Sequence, residues 1–418
     1  MFNPDKLKIV DCAQSVLPPA KARGKSVYCN GIEQRNLIEK ILSEGLISDI
    51  LRMQGTDADR NKAALLETKT KEFANARENG VYIFGAKRLG EIVFKGMQAL
   101  GFKVWGFVDN DNTLWGEDVQ GCPVYDPSVL RGAKATICIA STVYTHTLIN
   151  QAKRMGSDNL IQYSFLSLFS EECFPTEIPY RNIFEDFSEN APRYLELYPM
   201  LADDKSRRVL TGLLKYRLTY EPSYVAEISD SAGSQYFDDE LVTYGAEEVF
   251  IDVGAYDGDT SQNYHELSGG VYKKIYLLEP DKALIDKAKE RPFADERTCF
   301  IAAGAYSHNG EVSFDATGVT DGAITPLGSQ KIAVVSLDSL DELTPTFIKM
   351  DIEGAESKAI RGSQNLIAQH KPMLAIAVYH FGEDIWTILD QVRCINPAYK
   401  FYLRHYSETG LETVLFCK

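Results

Sequence analysis

The chain has 418 residues, of which 44% are hydrophobic and 25% charged, a composition typical of soluble globular proteins with two or three domains. Its formal net charge is −15, from 44 basic and 59 acidic residues, which argues against binding to nucleic acid or to an anionic membrane surface. The start of the chain lacks the pattern of a secretory signal, no apolar run reaches the ~20 residues of a membrane span, and the eight cysteines form no C-x-x-C pair. These features predict a cytoplasmic protein with reduced thiols.

Residues 1–79 predict a helical segment. Apolar residues recur at helical spacing between Ile32 and Leu51, and a second helix is predicted from Ala58 to Arg77, after a break at Gly55. We expect this segment to serve mainly in packing.

Residues 80–169 predict a small α/β domain. Val81–Phe84 predicts its first strand, and Gly85 and Gly90 lie in a turn that leads into a helix. Asp109 ends the second predicted strand, 24 positions after Gly85, where an acid binds ribose hydroxyls in Rossmann folds. Lys87 replaces the middle glycine of the dinucleotide fingerprint, which makes NAD a poorer candidate for this turn.

This segment resembles the N-terminal Rossmann-like domain of sugar-modifying acetyltransferases, through its glycine turn, Gly106–Asp111 and Gly121–Val124. The resemblance implies a nucleotide-sugar partner. The alternative is a degenerate domain that only packs against its neighbour.

Residues 170–245 are polar and interrupted by prolines, with a helical patch at Ser206–Leu218. We expect a helical connector that partly caps the next domain. Its frequent aromatic residues could stack on a sugar ring, although such residues more often form core.

Residues 246–418 alternate regularly between predicted strands and helices. The predicted strands are Val249–Val253, Lys274–Glu279, Thr298–Ala303, Glu311–Asp315, Phe347–Asp351, Met373–Tyr379, Lys400–His405 and Glu412–Phe416. This order, closed by a hairpin, predicts a mainly parallel sheet with one reversed strand, the layout of class I methyltransferases.

The stretch Val249–Thr260 predicts a strand, a tight turn and a helix. Gly254 and Gly258 allow a close approach of the backbone to a ligand, and the following helix offers free N–H groups. The spacing G-x-x-x-G differs from the dinucleotide fingerprint, whose additional glycine brings the backbone onto a pyrophosphate. A cofactor without pyrophosphate fits better, and S-adenosylmethionine is the candidate.

Glu279 ends the second strand of this domain, 25 positions after Gly254. A carboxylate there can accept both ribose hydroxyls of an adenosine. A cap for the helix that begins near Asp281 is the alternative.

Three carboxylates, those of Asp351, Glu353 and Glu356, fall within six residues at a strand-to-helix turn. Asp351 and Glu353 are candidate general bases because crowded acids raise the pKa of one another, whereas Glu356 is interpreted as a first-turn acid favoured by the helix dipole. Mg²⁺ held through water is an alternative, but no imidazole or third hard ligand is adjacent in sequence, so no metal is expected.

His380 ends the next predicted strand, where a histidine can accept a proton from a sugar hydroxyl. A structural histidine bonded to a loop is the alternative. Arg404 and His405, on the closing hairpin, could anchor an acceptor or be structural.

Four segments together resemble the FkbM family of S-adenosylmethionine-dependent methyltransferases, over roughly residues 190–418: Val249–Thr260, Tyr276–Pro280, Ile348–Glu356 and Tyr379–His380. The resemblance implies O-methylation of hydroxyls on sugars or polyketide-type products. Its predicted cofactor-binding residues are Asp252, Gly254, Ala255, Tyr256, Gly258, Glu279 and Asp351. Its predicted catalytic residues are His380, Asp351 and Glu353.

The sequence therefore predicts an O-methyltransferase with a saccharide acceptor. A nucleotide-linked sugar is the candidate partner of the N-terminal α/β domain, and a homo-oligomer is the candidate assembly. The alternatives are an NAD(P)-dependent sugar-nucleotide oxidoreductase and a non-catalytic nucleotide-sugar-binding protein.

Overall fold

Two mainly parallel β-sheets, each flanked by helices, make up most of the architecture. The computed structural model describes residues 58–175, 182–315, 323–324 and 330–418, all of which lie in one unit that spans Gly45–Lys418. The helix predicted between Ile32 and Leu51 lies outside the described residues. Among those described, no helix has the length and hydrophobicity needed to cross a bilayer.

Thirteen α-helices occur in the described residues. They are α1 (Ala58–Glu67), α2 (Thr70–Asn79), α3 (Arg88–Ala99), α4 (Thr145–Arg154), α5 (Tyr163–Phe169), α6 (Ile183–Leu197), α7 (Asp204–Thr219), α8 (Ser223–Ala226), α9 (Asp259–Leu267), α10 (Lys282–Ala288), α11 (Glu356–Arg361), α12 (Gln364–His370) and α13 (Asp384–Ile395). The single helix predicted from Ala58 to Arg77 is thus two helices, separated by a turn at Thr68 and Lys69.

The N-terminal sheet has six strands in the order β3-β4-β2-β1-β5-β6. They are β1 (Val81–Phe84), β2 (Val104–Val108), β3 (Asp118–Val119), β4 (Cys122–Tyr125), β5 (Thr136–Ile139) and β6 (Leu160–Gln162). All neighbours are parallel except β3, which is antiparallel to β4. β1 lies between β2 and β5, so the chain changes direction across the sheet there, the position at which open α/β sheets bind ligands.

The C-terminal sheet has seven strands in the order β16-β17-β15-β14-β7-β8-β9. They are β7 (Val249–Val253), β8 (Lys274–Leu278), β9 (Thr298–Ile301), β14 (Phe347–Met350), β15 (Met373–Ala377), β16 (Phe401–His405) and β17 (Thr413–Cys417). Only β17 is reversed, pairing antiparallel with β15 and β16. The predicted sheet with its antiparallel hairpin is confirmed.

A smaller sheet interrupts this alternation between β9 and β14. Its order is β10-β13-β11-β12, formed by β10 (Gly304–Ala305), β11 (Gly310–Asp315), β12 (Ala323–Ile324) and β13 (Gln330–Val335). The strand predicted at Glu311–Asp315 therefore exists but pairs within this separate sheet.

The core explains why β7 is apolar at every position except Asp252. Val249, Ile251 and Val253 face one hydrophobic cluster, which also contains residues of α6 and α7, whereas Phe250 faces a second cluster on the other side of the sheet. A strand covered on both faces needs apolar residues at successive positions. Helices α6 and α7, within the segment predicted as a connector, thus form part of the core of the C-terminal sheet.

Arg404 is fully buried on β16 and forms ion pairs with three acids, Asp203, Asp238 and Glu240. Its Nε donates to Oδ2 of Asp238 at 2.9 Å and its Nη2 to Oδ2 of Asp203 at 2.8 Å. His405 is also fully buried, with Nδ1 2.9 Å from Oγ1 of Thr413. These contacts support the structural alternative for both residues.

The register of β7 against β14 brings the two site-bearing loops together. Lys349 pairs with Asp252 and Met350 with Val253, so the next residues, Gly254 and Asp351, meet at the edge of the sheet. Gly254 has φ 76°, and a Cβ atom at this position would overlap the carbonyl oxygen of Asp351. Only glycine therefore allows this approach.

We expect Gly254→Ala to lower the free energy of unfolding by about 3 kcal/mol or more, because left-handed strain of about 1–2 kcal/mol adds to overpacking of about 1–3 kcal/mol. Gly269 is the matched control, since it also has a positive φ, 62°, but a Cβ atom added there would meet no heavy atom of the described residues within 4 Å beyond its chain neighbours. Gly269→Ala should lose only the strain term. Urea unfolding followed by circular dichroism compares the two, and equal losses would contradict the close approach.

Candidate active site

The loop that follows β7 is a tight turn held against β8. The backbone N–H groups of Gly254 and Ala255 both donate to the carbonyl oxygen of Leu278, at 3.0 and 3.1 Å. Gly258, with φ 81°, precedes α9. Tyr256, between the two glycines, has φ 49° and is 47% exposed. The turn therefore presents backbone and one aromatic side chain to solvent at the carboxyl end of the sheet.

Glu279 is bonded to this turn. Its Oε2 accepts from the N–H of Tyr256 at 3.1 Å and its Oε1 from the N–H of Asp281 at 2.9 Å. Burial raises its pKa above the ordinary value. The helix α10 is capped instead by Asp281, whose side chain accepts from the N–H of Ala283. Capping therefore does not account for Glu279, and its carboxylate oxygens retain lone pairs for a ligand.

Lys349 and Asp252 form a buried ion pair beneath the turn. Lys349 Nζ lies 3.1 Å from Oδ1 of Asp252 and donates to the carbonyl oxygen of Gly254 at 2.6 Å. Burial opposes the charge of Lys349, but Asp252 and Asp351 raise its pKa above the ordinary value. Ser261 donates to the other oxygen of Asp252 at 2.7 Å. Asp252, predicted to bind the cofactor, is therefore placed under the turn, where it pairs with the lysine that holds the turn's backbone.

Asp351 is held by two tyrosine hydroxyls. Tyr236 donates to its Oδ2 at 2.5 Å, and the hydroxyl of Tyr379 lies 3.1 Å from the same oxygen. The side chain of Asp351 remains 19% exposed. It is thus fixed in orientation and still accessible beside Gly254.

His380 lies at the centre of a carboxylate cluster. Its Nε2 is 3.4 Å from Oδ1 of Asp351 and 3.5 Å from Oε2 of Glu353, and its Nδ1 is 3.3 Å from Oε1 of Glu356. The side chain of His380 is 1% exposed and that of Glu353 is 28% exposed. The structure therefore brings the three predicted catalytic residues together, but only Asp351 and Glu353 reach the surface.

The charge of the cluster follows from this geometry. Burial alone would lower the pKa of His380, but the carboxylates of Glu356, Glu353 and Asp351 raise it well above the ordinary value. Burial raises the pKa of Glu353 above its ordinary value, and the negative charges of Asp351 and Glu356 act in the same direction. The carboxylates around His380 therefore favour the charged form of its imidazole.

Glu356 makes contacts within the site that the sequence did not predict. Its side chain is 1% exposed, and its Oε1 accepts from the backbone N–H of Ile352 at 2.7 Å. Glu356 lies in the first turn of α11, as predicted, but its carboxylate also faces the loop and the imidazole of His380, so a favourable helix dipole is not its only role.

Sequence reasoning missed several side chains around the cluster. Gln235 donates to Oε2 of Glu412, and burial together with Asp351 raises the pKa of Glu412 to about 7. Tyr236, Tyr379 and Lys349 were also missed. Tyr379 and Lys349 lie in segments of the family resemblance but were given no role, and Lys349 carries a further signal, since a lysine inside an apolar strand requires a buried partner.

Strained backbone surrounds the site. Tyr236, Tyr256, Glu353 and Glu412 have φ values of 66°, 49°, 57° and 60°. Non-glycine residues with such values cost about 1–3 kcal/mol each and concentrate at functional sites. The fold thus holds these side chains in fixed positions before any ligand binds.

The N-terminal sheet repeats the arrangement seen at Glu279. Asp109 accepts from the N–H of Ala86 at 2.8 Å and from that of Asp111 at 2.9 Å. Gly85 has φ 116°, and a Cβ at Gly90 would overlap the carbonyl oxygen of Gly85. The two sheets therefore share a glycine turn bonded to a strand-end acid.

Thr147 links α4 of the N-terminal part to the loop between β16 and β17. Its backbone N–H and its hydroxyl donate to the carboxylate of Glu408, at 2.9 and 2.7 Å. This loop also carries Glu412, which lies next to the carboxylate cluster.

Comparison with known proteins gives a family for the C-terminal domain. Residues 252–402 match the family model of the methyltransferase FkbM domain. The search of curated proteins found no match.

Among solved structures, a methyltransferase FkbM from Methylobacillus flagellatus is similar, with a TM-score of 0.68 and 22% identity, over 90% of this chain and 99% of that one. At this identity the match shows a shared fold, which extends over both sheets. A putative rRNA methylase from Clostridium thermocellum has a TM-score of 0.32 and 9% identity, over 45% of this chain and 94% of its own. A putative methyltransferase from Streptococcus mutans in complex with SAH has a TM-score of 0.28 and 12% identity, over 44% and 95%. No functional conclusion follows from the last two values.

The family match covers the glycine turn, Glu279, the carboxylate cluster and His380, and the shared fold covers the sheet that positions them. Residues 252–402 of this chain thus match the methyltransferase FkbM domain, within a fold shared with a methyltransferase FkbM of known structure.

Proposed function

We propose that this chain is an S-adenosylmethionine-dependent O-methyltransferase whose acceptor is a hydroxyl of a sugar or glycan precursor. The observation that carries the proposal is the contact of Gly254 with Asp351. It sets the glycine turn and Glu279 directly beside an accessible pair of carboxylates, Asp351 and Glu353.

The residues of the turn fit an adenosyl cofactor. Glu279 is a buried strand-end carboxylate with free lone pairs, which suits two ribose hydroxyls. The turn lacks the glycine that admits a pyrophosphate. Gly254, Ala255, Tyr256 and Gly258 would line the remainder of the site, and Asp252 would act through its pairing with the lysine that holds the turn's backbone. The bound cofactor would supply a methyl group already activated on a sulfonium.

The carboxylate cluster would position the acceptor hydroxyl and take its proton. Asp351 and Glu353 have exposed oxygens and are therefore the groups able to contact an acceptor. The side chain of His380 is 1% exposed, so it is poorly placed for the role of direct base predicted from the sequence. We assign His380 to positioning, through the ion pairs that its Nε2 forms with Asp351 and Glu353 at 3.4 and 3.5 Å. Alignment of the hydroxyl with the methyl group would be the larger contribution.

The N-terminal sheet is the proposed site of a nucleotide-linked acceptor. The bonds of Asp109 to its glycine turn support this assignment, because they match those of Glu279. The bond between Thr147 and Glu408 joins this part of the chain to the loop beside the carboxylate cluster. A nucleotide held near Asp109 could thus present its sugar to the second site.

An NAD(P)-dependent oxidoreductase and a non-catalytic nucleotide-sugar-binding protein are the competing functions. The glycine turns of both sheets lack the dinucleotide fingerprint, which disfavours the first. The accessible carboxylates beside the turn favour catalysis over binding alone.

We expect S-adenosylhomocysteine to bind with one site per chain, and Glu279→Ala to weaken binding by about 10- to 100-fold, since hydrogen bonds to a charged group contribute about 1.5–3 kcal/mol. Asp109→Ala is the matched control, because it removes the equivalent acid from the other sheet and should leave the affinity unchanged. Isothermal titration calorimetry measures both. Heat from NAD(H) but none from adenosyl compounds would favour the oxidoreductase.

Methyl transfer from labelled S-adenosylmethionine to a panel of nucleotide-sugars and free glycans tests the acceptor. With an active acceptor, Asp351→Asn should reduce kcat by about 10²–10⁴, as expected for loss of a positioned proton acceptor. Asp109→Ala should raise KM for a nucleotide-linked acceptor and leave kcat unchanged. Near-normal turnover of Asp351→Asn would show that this residue has no catalytic role. An unchanged KM in Asp109→Ala would show that the N-terminal sheet serves only in packing.

A further inference from the structure

We propose that Nε2 of His380 and the carboxylates of Asp351 and Glu353 bind one divalent first-row metal ion, of which Mn²⁺ and Zn²⁺ are the best candidates. The sequence disfavoured a metal because no imidazole is adjacent to the acids. The fold supplies one, since β14 and β15 are parallel neighbours, Asp351 directly follows β14, and His380 lies in the loop that follows β15.

The separations of the three groups suit a shared ion. Oxygens of Asp351 and Glu353 lie 3.4 and 3.5 Å from Nε2 of His380. Two ligands about 2.1 Å from an ion stand about 3.4 Å apart in tetrahedral geometry. In addition, one ligand atom each of Asp351, Glu356 and His380 lie within 4.8 Å of one another. Asp351 and His380 are thus already spaced as ligands of one ion, and Glu353, 3.5 Å from Nε2, would complete the shell by a side-chain rotation toward Asp351.

The imidazole is aimed into the cluster with its hydrogen-bonding capacity unused. His380 is fully buried, and within the described part of the chain neither of its ring nitrogens has a hydrogen-bond partner. A buried polar group without such a partner is unusual in a folded protein and points to an additional ligand.

Glu356 would support the ion from the opposite side of the ring. Its Oε1 faces Nδ1 of His380 at 3.3 Å and is itself bonded to the N–H of Ile352. Metal-binding histidines commonly donate their second ring N–H to such a carboxylate, which fixes the tautomer and the ring orientation. Nε2 then remains directed at Asp351 and Glu353.

The charge of the region favours a cation. Asp351, Glu353, Glu356 and Glu412 crowd around one imidazole, while the nearby Lys349 is paired with Asp252. Buried carboxylates are costly unless they are paired or bind metal. One nitrogen with carboxylate oxygens is a donor set shared by Mn²⁺ and Zn²⁺, whereas Mg²⁺ prefers oxygen alone.

The ion would deepen the proposed function and rests on it for its role in the reaction. At the carboxyl end of β14, next to the glycine turn, it would bind the acceptor hydroxyl and make its proton easier to remove. Two neighbouring hydroxyls of a sugar could share its open positions. Binding of the ion itself does not depend on methyl transfer.

The test uses the full chain, stripped with a chelator, exchanged into metal-free buffer and titrated with MnCl₂ in the absence of cofactor and acceptor. Electron paramagnetic resonance of free Mn²⁺ should show one tight site per chain. Zn²⁺ should displace the ion, and Mg²⁺ should compete poorly.

Asp351→Asn, Glu353→Gln and His380→Gln should each weaken Mn²⁺ binding at least tenfold. Glu279→Gln is the matched control, since it alters another buried carboxylate at the same edge of the sheet and should bind as the wild type does. Circular dichroism verifies folding. If His380→Gln does not fold, the two variants of the partly exposed acids decide.

Absence of a stoichiometric site, or equal affinity in wild type and Asp351→Asn, would overturn the metal site. The second result would identify the ion as one held loosely elsewhere on an acidic protein. Because S-adenosylhomocysteine binding is measured separately, failure here leaves the proposed methyl transfer standing.

Discussion

The approach of Gly254 to the carbonyl oxygen of Asp351 is the constraint on which the site depends. Parallel pairing of β7 with β14 sets the register, and the buried ion pair between Lys349 and Asp252 stabilises this register beneath the glycine turn. Lys349 also holds the carbonyl oxygen of Gly254. One buried cation thus connects the strand pairing, the shape of the glycine turn and the position of the carboxylate that follows β14.

Two sets of side chains meet at this contact. Glu279 and the glycine turn form one set, whose backbone and carboxylate groups suit an adenosyl moiety. Asp351, Glu353 and His380 form the other, fixed by Tyr236, Tyr379 and Glu356. Positive φ values at Glu353 and Tyr256 show that the backbone accepts strain to keep both sets in place. Such preorganisation suits a reaction in which alignment contributes most of the rate enhancement.

Local patterns were sufficient to predict the strands of the C-terminal sheet, its reversed strand, and the strand-end positions of Glu279, Asp351 and His380, because buried parallel strands and glycine turns have strong sequence signatures. Contacts between distant segments were not predictable in this way. Tyr236 reaches Asp351 across 115 positions, and Glu356 turned inward because His380 lies beside it in space. The pairing of Glu311–Asp315 in a separate sheet was likewise invisible, since periodicity predicts a strand but not its partner.

The central claim is that the turn at Gly254 and the carboxylate of Glu279 form an adenosyl site beside Asp351. A crystal structure of the full chain with S-adenosylhomocysteine tests it most directly. We expect the ribose hydroxyls to bond to the Glu279 carboxylate, the adenosine to lie along the turn, and the sulfur to point toward Asp351. Ligand density at Asp109 instead, or a ribose remote from Glu279, would contradict it.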